Sequence, residues 1–397
     1  MPHLYVNSKG KPWTSHSYSA GCLYDKSPLA YYLQKILGWK ERENKARFAF
    51  GKAIEESIQY YHEHNGEGAA ADFLRRWEVY RGTGQLVYTN LEKDWETCKK
   101  IGHDMIRLYV AMQPSLPIPL GGRSVFQRTY SKQVFPGDKN YGGIEDAGKL
   151  DIVCYADIDH PRLSRVNWKP EYGAYRPLIV DIKTSAVDFP EQPGMAAYDA
   201  QLRRYSWLSG IRDVSLLWFK KSGLGYKRGY SVTFIEPAGQ YAAGEEAVVA
   251  QVDGENIWVF KSDFMLEEMD RAHGKNAKGK TDQTKEGEER GQEFLKKYGL
   301  KVHTNFLTRQ RLQFNAGYVS QQSANEAGKI AARQIVSIVN SWKNNDWPDT
   351  FGIRYPKDDR NDSYFRAFVL KDENFKNQNF VKSDEESFDS LFEEDEP

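Results

Sequence analysis

The apolar period of the chain changes near Pro119, and that change restricts the fold more than any other feature of its 397 residues. From about Ser17 to Met112 apolar residues recur at three- and four-residue spacings, in LAYYLQKIL, FGKAIEESIQYY and CKKIGHDMIRLYVAM, the period of helices packed through one face. About four helices therefore open the chain. After Pro119 the runs SVFQRTYSKQVF, GKLDIVCYADI and PLIVDIKTS are rich in Val, Ile and Tyr and are bounded by Gly- or Pro-bearing turns, so they read as successive strands. AAYDAQLRRYSWLSG returns to helical spacing and stops at Gly210, and DVSLLWFKK and RGYSVTFIE follow as strands. Helices, then strands, then a helix and more strands imply an α/β fold whose sheet comes from the middle of the chain.

The flanks carry less information. GKNAKGKTDQTKEGEERGQEFLKKYGLK, from Gly274 to Lys301, is nearly devoid of apolar residues until its end and reads as a mobile, partly helical excursion. SANEAGKIAARQIVSIVNSWKNN follows as a long helix in which Ile330, Ile335, Ile338 and Val339 are placed to pack on the sheet. From Lys371 onward the chain reads as linker and tail. The resulting division is 1–120 helical, 121–265 an α/β core, 266–370 a mobile insertion with a C-terminal helical part, and 371–397 an acidic disordered tail.

Net charge is zero, but Val381 to Pro397 hold eight acidic residues against one Lys, so a tail at −7 offsets a body at +7. A basic body fits a phosphate-bearing partner. The tail also places Phe388, Leu391 and Phe392 at helical spacing, as a segment that docks on a protein partner would. Cys22, Cys98 and Cys154 are odd in number and widely spaced, which argues for buried apolar residues rather than disulfides or a metal knuckle. No run of apolar residues is long enough to span a membrane, and the N-terminus lacks a secretory apolar core, so a soluble, cytoplasmic protein without a membrane partner is expected. Neither Gly121-Gly122 nor Gly142-Gly143 is followed by the Lys-Ser/Thr that a phosphate-binding loop needs, and no ATPase motor is expected.

The chemistry concentrates in GKLDIV at 148–153 and LIVDIKTS at 178–185. Asp181 and Lys183 are two apart on one strand and project from the same face, while Ile182 turns to the other. If the two strands pair, Asp151 comes beside Asp181. Two converging carboxylates make a hard oxygen site for Mg²⁺ or Mn²⁺, and a neighbouring ammonium can orient or help deprotonate a water. A bare Asp-x-Lys occurs by chance about once in a chain this long. Acids flanked by apolar strand residues are a sharper signal, because burying a charge without a partner is costly. On the next helix Gln201 and Tyr205 lie one turn apart on one face, with Arg203 and Arg204 flanking it and available to a nucleic-acid backbone.

GKLDIV, IVDIKTS and QLRRYSWL, in that order and at that spacing, resemble the motifs of the RecB-like nucleases of the PD-(D/E)xK superfamily. The resemblance implies a restriction-endonuclease-like αβββαβ core that cleaves DNA with a divalent metal, in recombination, repair or phage DNA metabolism. It implies further that Asp151 and Asp181 are metal ligands, Lys183 is the catalytic lysine, and Gln201 and Tyr205 form the supporting helix motif. Exonuclease action follows from the subtype. A structure- or sequence-selective endonuclease and a non-catalytic DNA-binding scaffold subunit are the competing readings.

The N-terminal segment SYSAGCLYDKSPLAYYLQKIL is also similar to the family's, where it precedes a helix bearing Gly-x-x-x-His. In FGKAIEESIQYYH the metal-binding His position falls on Glu55, four residues after Gly51, and a carboxylate favours the same hard cations. His62, two turns on, is the substitute ligand if Glu55 is not used. Some members hold an iron–sulfur cluster with four cysteines; here none follows Cys154, so no cluster is expected.

Overall fold

The expected change from helices to strands is where the structure makes it. The computed structural model describes residues 10–42, 44–82, 86–88, 94–163, 173–185, 194–221, 231–234, 247–252, 255–260, 300–303, 312–349 and 362–382, with isolated positions elsewhere. The chain opens with β1 (Ser15–Ser17), α1 (Tyr18–Lys26), α2 (Pro28–Tyr31), β2 (Trp39–Glu41), β3 (Asn44–Lys45), α3 (Ala46–Glu63), α4 (Ala69–Gly82), β4 (Leu86–Val87) and α5 (Trp95–Met112). Then come β5 (Ser124–Gln133), β6 (Glu145–Asp157), β7 (Tyr175–Ser185), α6 (Ala200–Ser209) and β8 (Asp213–Lys220). The remainder holds β9 (Ser231–Phe234), β10 (Ala247–Val252), β11 (Glu255–Phe260), β12 (Leu300–His303), β13 (Leu312–Tyr318), α7 (Gln321–Asn344), α8 (Glu373–Asn379) and β14 (Phe380–Lys382).

The main sheet has six strands and is mixed, with β5, β6 and β7 antiparallel in sequence, β8 parallel to β7, and β13 antiparallel to β8. β1 runs parallel to the first residues of β6. Helices cover both faces. On one, Phe50, Ile54 and Ile58 of α3 pack with Trp77 and Ile106 against Ile152, Val180, Ile182 and Phe219. On the other, Leu202, Tyr205 and Leu208 of α6 lie on Leu150, Val153, Ile179 and Val214. α6 is fixed at both ends, by the Asp199 carboxylate accepting from Leu202 N at 2.9 Å and by Gly210 in the left-handed conformation at φ 78°.

Several expectations need correction. RGYSVTFIE supplies β9, which belongs to a separate four-stranded sheet of order β10-β11-β9-β12 inserted between β8 and β13. The strand that completes the core is LQFNAGY, so the core does not end at 265. The hydrophilic excursion between Gly274 and Lys301 and the acidic tail after Lys382 lie almost wholly outside the described residues. In α7, Ile335, Ile338 and Val339 are buried, but among Trp13, Tyr5, Ile144 and Trp342 rather than on the sheet, and Ile330 is 51% exposed. Cys98 and Cys154 are buried as expected, whereas Cys22 is exposed on α1.

Residues 371–382 are folded rather than tail. Asp372 caps α8 by accepting from Phe375 N at 3.0 Å, and β14 pairs antiparallel with β2. Phe380 is buried among Trp39, Tyr364, Phe368 and Phe375, so this strap clasps the N-terminal segment. Phe380→Ala is expected to lower the unfolding free energy by about 3–5 kcal/mol in urea melts of the full chain. An unanchored strap would leave the melt unchanged.

Candidate active site

The main sheet forks where the sequence places its two aspartates. β6 pairs with β7 only from Ile152↔Val180 to Asp157↔Tyr175, and beyond Val180 β7 continues beside β8 alone. Asp151 and Asp181 are the first residues past the last pair, one on each arm. The arms stay linked by Ile182 N donating to Asp151 Oδ2 at 2.7 Å.

Asp181 is 1% exposed, and neither of its carboxylate oxygens accepts a well-directed hydrogen bond. Lys183 Nζ stands 2.8 Å from Asp181 Oδ2 as an ion pair and donates to Gln201 Oε1 at 2.9 Å. Gln201 Nε2 in turn donates to the Tyr205 hydroxyl at 2.6 Å. Asp181, Lys183, Gln201 and Tyr205 thus form one chain of contacts between β7 and α6. Gly148 makes room for it, since a Cβ there would stand 2.8 Å from the Tyr205 ring.

Glu55 reaches the fork from the opposite helical layer. An alanine Cβ at Gly51 would stand 3.4 Å from Thr184 Oγ1, so this turn of α3 lies beside the end of β7, with Glu55 one turn farther on. The Glu55 carboxylate accepts a hydrogen bond from Gln127 Nε2 of β5. Gln127 escaped the sequence reading, because a Gln in a strand carries no signal of its own.

The electrostatics follow from three acids close together, Asp181 buried and Asp151 and Glu55 half-buried. Burial, then the Glu55 charge, pushes Asp151 up to about 7, against the pull of the Ile182 N–H and Lys183. Burial and the Asp151 charge push Asp181 up to about 7 as well. Burial raises Glu55, with Lys52 opposing and Asp181 adding to the rise. Burial alone would lower Lys183, but the charge and contact of Asp181 outweigh it, and the ammonium is held above its ordinary value.

Among the described residues no group of three or more His, Cys, Asp or Glu side chains is gathered as a metal cage in the arrangement seen. The donor set nevertheless fits a hard divalent cation: the charges of Glu55, Asp151 and Asp181 act on one another, and the buried Asp181 oxygens accept no well-directed hydrogen bond. A cation between them removes both costs.

Two assignments from sequence fail. His62 points into the core, not the fork: its Nδ1–H donates to Pro119 O at 3.1 Å, and its Nε2 accepts from the Tyr109 hydroxyl at 2.6 Å. Burial holds it neutral, down to about 4, and both ring nitrogens are used. Arg204 is not available to a nucleic acid. It is 2% exposed and makes a two-pronged ion pair with Asp146, with Nη1 donating to Gln334 Oε1 at 2.9 Å. Arg203 is half-buried, with Nε donating to Ala197 O at 3.0 Å and its guanidinium 5.1 Å from the ring of the exposed Tyr198.

No protein-family model and no curated protein matches this sequence. Among solved structures, one described as "Crystal structure of SSO0001" is similar over 46% of this chain and 63% of that one, at 14% identity and a TM-score of 0.18. A likeness that slight carries no argument.

Proposed function

We propose that this chain is a Mg²⁺- or Mn²⁺-dependent deoxyribonuclease of the RecB-like family of PD-(D/E)xK nucleases, acting as an exonuclease. The observation that carries the proposal is Asp181: a buried carboxylate that accepts no well-directed hydrogen bond, beside Asp151 at a sheet fork, with a lysine ammonium held against it. The element order supports a restriction-endonuclease-like core, since a helix precedes three antiparallel strands, α6 and a strand parallel to the third.

In this reading Glu55, Asp151 and Asp181 hold the cation. A bound divalent ion neutralises phosphate charge and makes water a better nucleophile. The chain's own groups do the rest. Lys183, fixed between Asp181 and Gln201, orients the attacking water and donates to a phosphate oxygen as negative charge builds there. Tyr205, buried and bound to Gln201, keeps that amide turned toward Lys183. Arg203, beside the exposed Tyr198, pairs with the DNA backbone in this reading.

Incubating the purified chain with end-labelled linear DNA and covalently closed circular DNA, in Mg²⁺, Mn²⁺ or chelator, tests this. Metal-dependent loss of linear DNA with the circle spared is expected. Nicking of the circle would assign an endonuclease, and binding without cleavage under any metal would overturn the enzyme.

A further inference from the structure

Gln127 is the one described non-glycine residue inside a strand with positive φ, at 52°; Asn65, Asn345 and Lys371 share that sign but lie in turns or at helix ends. Any residue with a Cβ is strained in this conformation, and such outliers persist where the surroundings enforce them. Its place in the ladder is specific. β5 pairs with β6 through Ser124↔Cys154 to Phe126↔Ile152 and resumes at Arg128↔Leu150, so the missing pair is Gln127 opposite Asp151.

Both strands change face at that step. Phe126 packs toward the α3 layer, but Tyr130, four residues on, packs toward α6. Likewise Ile152 joins the α3 layer, while Leu150, two residues before it, joins the α6 layer. An unbroken strand keeps residues two and four apart on one face. The reversal lets the Gln127 amide reach the Glu55 carboxylate on α3 while the adjacent Asp151 faces the fork.

We infer that Gln127 is a positioning residue for the metal site, its left-handed backbone and its amide together holding Glu55 at the fork beside Asp151. The inference rests on the metal-dependent reading and extends it to a residue outside the carboxylate set, one that acts through Glu55. A kink kept for the fold alone would prefer glycine, which adopts φ near 52° without strain and has no amide. A glutamine is explained by what its side chain holds.

The test is Mn²⁺ binding, measured calorimetrically on DNA-free full-length protein, with melting temperature recorded in chelator. Gln127→Gly is expected to melt at or above the wild-type temperature and to bind Mn²⁺ about ten-fold or more weakly, as loss of a residue that orients a ligand does. Gln127→Asn, whose backbone tolerates positive φ but whose amide is one methylene shorter, is expected to show the same weakening and keeps the test valid if the glycine variant melts low. Wild-type Mn²⁺ affinity in Gln127→Gly or Gln127→Asn overturns the inference while leaving the site itself intact. A wild-type chain that binds no Mn²⁺ overturns the metal reading and this inference with it.

Discussion

Lys183→Ala and Asp151→Asn are each expected to slow DNA cleavage by about 10²–10⁴-fold while DNA binding persists. The two losses differ in kind. Lys183→Ala removes the ammonium that Asp181 and Gln201 hold in place, and no neighbouring described cation is fixed at the same point by both partners. Asp151→Asn is the gentler change to the structure, because an amide oxygen still accepts from Ile182 N and keeps the fork tied together. What disappears is the charge. Single-turnover rates on labelled duplex and single-stranded DNA, with binding measured in Ca²⁺, separate chemistry from affinity. Wild-type rates in either variant would remove the fork from the reaction.

Asp181→Asn is expected to abolish cleavage yet stabilise the metal-free protein at pH 8 by on the order of 2–4 kcal/mol. The sign follows from Asp181 titrating at about 7 in the fold against an ordinary 3.8. Between those values the folded chain holds more protons than the unfolded one. Stability from this group is therefore fully present below 3.8 and declines as pH rises through about 7, as a buried charge forms with only the Lys183 ammonium against it. Asparagine forms none. Lys183, 33% exposed, loses an ion-pair partner, which trims the gain.

Buried His16 and His62 act in the opposite sense. Burial lowers them to about 3 and about 4, so their contribution grows as pH rises toward 6.5. The two trends overlap, and the informative quantity is the difference between wild type and Asp181→Asn in urea melts with chelator at pH 4 and pH 8. A variant less stable than wild type at pH 8 would mean that the Lys183 ion pair dominates and that Asp181 is a structural residue.

Much of the site was legible because its parts are local. Asp181 and Lys183 share a strand face, Gln201 and Tyr205 share a helix face, and each pair follows from a period of two or of three to four residues. The strands that carry them were legible for the same reason. What sequence could not supply depends on partners far away in the chain. Arg204 reads as a surface cation until Asp146, 58 residues earlier, is seen to enclose it. His62 reads as a ligand because it shares the helical side of Glu55, but Tyr109, 47 residues on, claims its ring.

β13 was missed because LQFNAGY lacks a continuous apolar run. It is held by pairing with β8 and by Asn315, whose side chain accepts from Ala196 N at 2.9 Å. The strap ending in β14 was hidden by the charged stretch after it, which set the composition of the whole C-terminus. Gln127 is the extreme case: its role lies in a backbone angle and a cross-strand register, neither of which a residue type encodes.

The metal assignment has one direct measurement. Crystals grown or soaked in Mn²⁺, with diffraction recorded at the manganese absorption edge, are expected to show an anomalous peak bounded by the carboxylates of Glu55, Asp151 and Asp181, weakened in Asp181→Asn. No peak at saturating Mn²⁺, or a strong peak only elsewhere on the surface, would contradict a metal-dependent nuclease centred on the fork.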